Sequence, residues 1–433
     1  MIVRIALRNL WRRGNRFLFL LFLVAFSSLV ILSLTSLFDT LVFNLKRKGS
    51  IYYGGDITVR GIKDQRTIII EEPEPMLEAI RNAVPAGTVV SPRINYRNSS
   101  ITLFFAGDSI RQRMINGIDF REEEPMFQQL TFTEGGYNPL QERFRKLPGI
   151  LISEPTAQLL KARVGDDLLL YIPTRTRQVN TAVIVVEGIF RDSSLFGYYT
   201  AYMDIEALRH LTLFPEGQCT DIAIFFPEGY NGEKEARTLQ AILEGQFPMT
   251  PLFAGQSELD NYRHSTEWKG IRYAINTLDS NLEQVNELLN AVRFIADFLV
   301  GILAAIVFFG VTNSYRISVY ERRKEIGTLR ALGMRKRSVT VLFLWEGVFL
   351  TLFAVGIGAV GALLVLGGLS LVDFSFLAGF DIFLRGKHLQ AFPTWSALGT
   401  TLLLSLGAVL LALWKPTRMA GSVPPVEAMR EDR

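Results

Sequence analysis

Cysteine is almost missing: Cys219 stands alone in 433 residues, which excludes an internal disulfide and any Cys-rich zinc site. Its mid-chain position also excludes a lipoprotein-type attachment, and it reads as a small buried hydrophobe. The three histidines, His210, His264 and His388, are widely separated and lack the spacing of metal ligands, so none reads as a ligand or a catalytic base. No Gly-x-x-x-x-Gly-Lys-Ser/Thr phosphate loop occurs anywhere. Nucleotide hydrolysis, if it occurs, is therefore expected on another polypeptide, and this chain is not expected to be an enzyme. Neither sign of charge dominates, since 46 Lys and Arg against 42 Asp and Glu leave a net +4. The basic residues cluster beside apolar runs, which points to membrane orientation and away from nucleic acid.

What the chain has in excess is apolar length. Hydrophobic residues make up 49% of it and mean hydropathy is +0.23, yet 20% of residues are charged. That mixture fits a membrane protein carrying a large polar domain. Residues 1–14 alternate Ile2, Ile5, Ala6, Leu10 and Trp11 with Arg4, Arg8, Arg12 and Arg13, the pattern of an amphipathic helix on the inner leaflet. Residues 15–40 form a first span, too long for the apolar core of a cleaved signal and without a clean cleavage site. Residues 41–277 hold no spanning run. Instead short β-like stretches (Asp56 to Arg60, Ser100 to Ala106, Asp167 to Ile172, Ala182 to Phe190, Asp221 to Phe226) alternate with helical patterns at Pro155 to Val164, Ile205 to Leu213 and Glu233 to Phe247. An α+β domain in two subdomains is expected there.

Leu278, Leu282, Val285, Leu289 and Val292 recur at helical steps, so 278–314 reads as one stalk helix running into the second span. Arg293 and Asp297, one turn apart, are expected to pair at the interface. The third span, 339–372, carries Glu346 near its start, where the carboxylate is expected to reach water or Arg335, and a small-residue row of Ala354, Gly358 and Ala362 for close helix packing. Residues 373–394 form a polar return loop. The fourth span, 395–414, is bracketed by Trp395 and Trp414, and 415–433 form a tail. The Lys/Arg bias puts both termini and the 315–338 loop in the cytoplasm. The fold class expected is four transmembrane helices with a large α+β extracytoplasmic domain inserted between helices 1 and 2.

Within the 315–338 loop, the helix-prone segment from Glu321 to Gly333 is the most informative stretch. Ile326, Leu329 and Leu332, at steps of three, make an apolar ridge that either needs a partner to cover it or packs on the chain's own spans. Arg322, Arg323 and Lys324 mark the loop as cytoplasmic.

This segment resembles the cytoplasmic coupling segment of the FtsX/MacB family of ABC-transporter permeases. The opening Ala6-Leu7-Arg8-Asn9-Leu10 is similar to that family's start. The tail, Lys415 to Ala420 leading to Pro425-Val426-Glu427-Ala428-Met429-Arg430, is similar to its closing phrase. Gly149 to Ile152, Val164-Gly165-Asp166 and Val186 to Phe190 resemble its periplasmic core. The resemblance implies an ABC ATPase subunit dimer, holding ATP and Mg, docked on Glu321, Arg322, Glu325, Ile326, Gly327, Leu329, Arg330, Leu332 and Gly333. It also implies a second permease subunit, identical or paralogous, in the bacterial inner membrane.

By layout the chain looks closest to the lipoprotein-releasing (LolC/LolE-type) permeases. That would imply mechanotransmission to a lipoprotein substrate, an acyl-chain cavity lined by Phe19, Phe22 and Phe26, and a periplasmic carrier. The short Pro173 to Arg177 hairpin lies where carrier-docking members have a longer loop. A MacB-like efflux permease and an FtsX-like regulator of a cell-wall hydrolase are the alternatives.

Overall fold

The structure is a computed structural model and describes residues 14–136, 147–192, 196–227, 229–374, 376–377 and 379–422. The expected amphipathic helix over residues 1–14 therefore falls, but for its last position, outside the described residues, as does the tail beyond 422. The chain divides into two units. One takes in the described parts of Met1–Leu41, Leu289–Val372 and Leu389–Arg433, the other those of Val42–Leu288 and Asp373–His388.

The second unit, called the outer unit after the side on which the sequence reading expects it, is built on strands β1 (Ile57–Lys63), β2 (Thr67–Ile68), β3 (Val89–Arg97), β4 (Thr102–Phe105), β5 (Asp108–Arg111), β6 (Met114–Ile118), β7 (Phe132–Gly135), β8 (Gly149–Ser153), β9 (Asp167–Pro173), β10 (Val179–Phe190), β11 (Thr200–Asp204), β12 (Asp221–Phe225) and β13 (Ile271–Thr277). They form one sheet in the order β13-β1-β12-β3-β6-β11-β8-β10-β9-β4-β5, with β2 on β1 and β7 on β10. The hinge of this order is β3. Its first half pairs antiparallel with β12, Val89 opposite Phe225 through Arg93 opposite Asp221, and its second half pairs antiparallel with β6, Ile94 opposite Gly117 through Arg97 opposite Met114.

Two cores follow from that switch. Ile57, Val59, Ile222, Ile224 and Ile275 pack with helices Pro73–Ala83 and Gly232–Leu243 through Met76, Ile80, Leu239 and Leu243. Ile94, Ile115, Ile150, Ile152, Leu168, Leu170 and Ile184 pack with helices Glu154–Leu160 and Ile205–Thr212 through Leu160 and Leu208. The expected two subdomains thus share a single sheet. Local chemistry fixes the helix starts: Asp204 accepts from the Glu206 and Ala207 amides, Asn231 from those of Glu233 and Lys234, and Pro73 opens its helix without wasting a donor.

The membrane unit contains four helices long and apolar enough to cross a bilayer: Gly14–Tyr53, Glu283–Glu321, Lys336–Leu369 and Trp395–Ser422. The first and second each contribute residues to both units. Their boundaries differ from the sequence expectation in instructive ways. The stalk does not run unbroken from 278. A short Leu278–Asn281 helix, capped by the Thr277 hydroxyl accepting from Ser280 N, stops at Leu282 before the long helix begins at Glu283. That long helix then continues to Glu321, past the expected end at 314. Part of the return loop, Asp373–His388, belongs to the outer unit, where the Asn44 amide donates to Phe383 O at 2.7 Å.

Small residues set the packing of the spans. A Cβ on Gly358 would lie 2.7 Å from Ala25 O, so only glycine allows the first and third helices this approach. Ala354 and Ala362, on the same row, are fully buried against the chain's own helices. The hydroxyls of Ser28 and Ser405 meet at 3.2 Å, and Thr312 Oγ1 donates to Ala412 O at 3.2 Å, which ties the fourth helix to the first and second. Arg293 and Asp297 face each other at 4.0 Å on the exposed surface of the second helix.

Candidate coupling site

The second and third spanning helices are joined by a short helix, Arg323–Ala331, whose ends are both specified by sequence. At its start Arg322 interrupts the long helix and accepts a hydrogen bond from Ile326 N at 2.9 Å. At its end Met334 N donates to Leu329 O at 3.1 Å and Gly333 N donates to Arg330 O at 3.1 Å, with Gly333 at φ +97°. That pair of bonds around a left-handed residue is a Schellman stop, and it needs a residue without a Cβ. Arg335 then opens the third helix, with Ser338 N donating to its carbonyl at 2.9 Å.

Arg322 is the hub of the site. Its Nη1 donates to both oxygens of Glu346, at 3.1 and 3.4 Å, and its Nε donates to Glu325 Oε2 at 2.9 Å. The guanidinium also lies 5.4 Å from the centre of the Phe343 ring. Glu346 is wholly buried, whereas the Arg322 side chain is 16% exposed. A carboxylate buried in an apolar helix must be paired, and removing one partner of such a pair costs about 3–5 kcal/mol. The expectation of Arg335 as that partner is corrected. Glu346 sits several turns into the third helix, while Arg322, across the turn, projects back onto it.

The expected apolar ridge divides. Ile326 is 3% exposed and joins the core of the spans with Leu20, Val319, Val339 and Phe343, and Gly327 beside it is buried. Leu329 and Arg330 are half-buried. Leu332 is 82% exposed, at the turn where the helix stops. Glu321 and Glu325 are exposed, as are Arg323 and Lys324. The surface turned outward thus combines one large apolar side chain, Leu332, with mixed charge, while Ile326 anchors the helix from behind. Sequence spacing alone missed Glu346 and Phe343 as members of this site; a lone carboxylate in a long apolar run was the available signal.

Phe19, Phe22 and Phe26 lie on one exposed strip of the first spanning helix, with the Phe22 and Phe26 rings stacked at 6.0 Å. Among the described residues no cluster of His, Cys, Asp and Glu has the makings of a metal site.

One comparison with known proteins falls on the same region. Residues 298–425, which contain the coupling helix and the last two spans, match the FtsX-like permease C-terminal family. Over 375 residues the chain is 24% identical to the macrolide export ATP-binding/permease protein MacB of Sodalis glossinidius, covering 82% of this chain and 50% of that protein. Over 155 residues it is 26% identical to the probable syringafactin export ATP-binding/permease protein SyfD of Pseudomonas syringae, covering 36% of this chain and 22% of that protein. The chain therefore spans half or less of the length of these relatives. A solved structure, the periplasmic region of MacB from Actinobacillus actinomycetemcomitans, aligns over 54% of this chain and 94% of its own with 11% identity and a TM-score of 0.32.

Proposed function

We propose that the chain is an ABC-transporter permease of the FtsX/MacB type and the passive lever of such a machine, moved by an ATPase dimer that binds the ATP and Mg. The observation that carries this reading is the construction of the Arg323–Ala331 helix. Its inner face is locked to the spans by Ile326 and by the Arg322–Glu346 pair, while Leu332 is presented outward on a glycine-stopped turn. A large apolar side chain held in water on a braced support is suited to seat in a partner's pocket, and the brace converts a push on that partner into movement of the second and third helices. In this reading the coupling helix and both termini are cytoplasmic, the outer unit is periplasmic, and a second permease subunit completes the pathway.

The cargo proposed is an amphiphile exported in the manner of the relatives named for macrolide and syringafactin export. Release of lipoproteins from the inner membrane, with or without a periplasmic carrier, is the second reading. It draws support from the exposed Phe19, Phe22 and Phe26 strip, which suits acyl chains. Mass spectrometry of material held by an ATP-trapped complex separates the two cargoes. For the lever itself, Leu332→Asp is expected to abolish co-purification of the ATPase while leaving thermal unfolding unchanged. Undiminished recovery of the ATPase overturns the reading.

A further inference from the structure

The outer unit contains a recess of about 550 Å³ that the lever mechanism does not use. Arg97, Arg111 and Arg113 enter it from the end of β3, the end of β5 and the link to β6, and Tyr52, Tyr199 and the Asn98 amide complete its walls. No Asp or Glu contributes to the lining.

Arg60, Arg93, Arg191 and Arg209 of this unit are matched to Asp221, Glu123, Glu154 and Glu206, whereas Arg97, Arg111 and Arg113 are exposed residues whose shared recess has no acid in its lining. In the recess Arg97 donates only to Met114 Sδ, at 3.1 Å, and Arg113 stacks 4.2 Å above the Tyr199 ring. Among the described residues Arg111 makes no ion pair. Three like charges converging on one concavity repel one another, and no carboxylate in the lining relieves them. The backbone also holds Arg113 in place. Met114 N donates to Gln112 O at 2.8 Å around Arg113 at φ +62°, a γ-turn of the rare strained kind, while Asn98 N donates to Arg113 O at 2.9 Å. That turn sets the Arg113 backbone where its exposed guanidinium stacks over Tyr199.

We propose that this recess is an anion-recognition site for a phosphoryl group, bound by the guanidinium forks of Arg97 and Arg111 with Arg113 as the third cation. Planar guanidinium forks match phosphoryl oxygens two at a time, and a phosphoryl group offers both the multiple charge and the number of acceptors that three forks require. The Tyr52 and Tyr199 rings supply walls for whatever carries the phosphate. Because Tyr52 lies on the last turn of the Gly14–Tyr53 helix, an occupant bears directly on the end of that helix. The phosphoryl group comes either from a soluble phosphorylated compound or from a lipid headgroup.

The test is isothermal titration of inorganic pyrophosphate into the full chain in phosphatidylcholine nanodiscs at fixed ionic strength. Saturable binding at one site per chain is expected, weakened at least tenfold by Arg97→Gln with Arg111→Gln and unchanged by Arg237→Gln on a distant exposed helix position. The Arg97→Lys, Arg111→Lys variant keeps the charge but loses the forks, and is expected to bind with intermediate strength; an unaltered thermal melt shows that it folds. Repeating the titration in nanodiscs containing phosphatidic acid identifies the source. A fall in apparent affinity marks a lipid headgroup and no change marks a soluble compound. Equal binding by wild type and the double Gln variant, or equal losses in that variant and Arg237→Gln, overturns the proposal. So does capture of an acidic peptide that pyrophosphate fails to displace.

Discussion

Among the described residues each unit holds an Arg–Glu pair whose carboxylate is wholly buried, and the two are built to opposite ends. In the outer unit Arg93 and Glu123 are both fully enclosed; Arg93 Nε donates to Glu123 Oε1 at 2.8 Å, Nη1 donates to Ile51 O at 3.0 Å, and the guanidinium sits against the Phe225 ring. The pair occupies the point where β3 changes partners from β12 to β6. In the membrane unit Glu346 is equally buried, but Arg322 reaches the surface and shares itself with exposed Glu325. A pair closed on every side specifies how one sheet carries two cores. A pair open on one side fastens a surface helix to a spanning helix while leaving it within reach of a partner. On the proposed reading, the same kind of ion pair serves fold or function according to which of its members sees water.

The comparison predicts a graded series of effects. Glu123→Ala leaves the Arg93 charge enclosed without its partner and is expected to cost about 3–5 kcal/mol, read as a lowered denaturation midpoint of the full chain in detergent. Replacing both members, Arg93→Met with Glu123→Leu, should recover most of that loss; failure to recover would show that the pair does more than satisfy itself. Glu346→Gln is expected to cost less, about 1.5–3 kcal/mol, because Arg322 keeps Glu325 and some solvent. Its larger consequence is in coupling: the ATPase should remain bound while transport-linked hydrolysis falls, and normal hydrolysis would break the analogy drawn between the pairs. Gly333→Ala forces a Cβ into the left-handed stop and should destabilise the coupling turn by about 1–3 kcal/mol, seen as faster amide exchange at Leu332 and Met334. The smallest effect belongs to Cys219. Burial pushes its thiol well above the ordinary range and the nearby Asp221 charge adds to this, so maleimide should fail to label the native protein at pH 8 and succeed only after unfolding.

Much of this was legible in the residues. Apolar length revealed the four spans, and the strands expected from Asp56, Ser100, Asp167, Ala182 and Asp221 all exist, as do the three expected outer helices. The passage of β3 through two sheet halves was not legible, because pairings such as Ile94 with Gly117 are set by long-range packing and carry no local signal. The helices Pro73–Ala83 and Gln256–Ser265 escaped notice for a different reason: they are polar, and bury only a narrow stripe. At the coupling site the step-of-three pattern correctly marked a helix. It treated Ile326, Leu329 and Leu332 as one face, whereas the glycine stop ends the helix before Leu332 can share the inward side. The Arg322–Glu346 bond joins residues on either side of a turn whose angle the sequence does not encode in any single residue.

The central claim is that the braced turn carrying Leu332 faces the compartment of the motor and works as a docking knob there. Because Cys219 is buried, Leu332→Cys is expected to be labelled alone by a membrane-impermeant maleimide. The account predicts labelling in inverted membrane vesicles, blocked by the bound ATPase, and none in intact cells. Labelling from outside intact cells would contradict it.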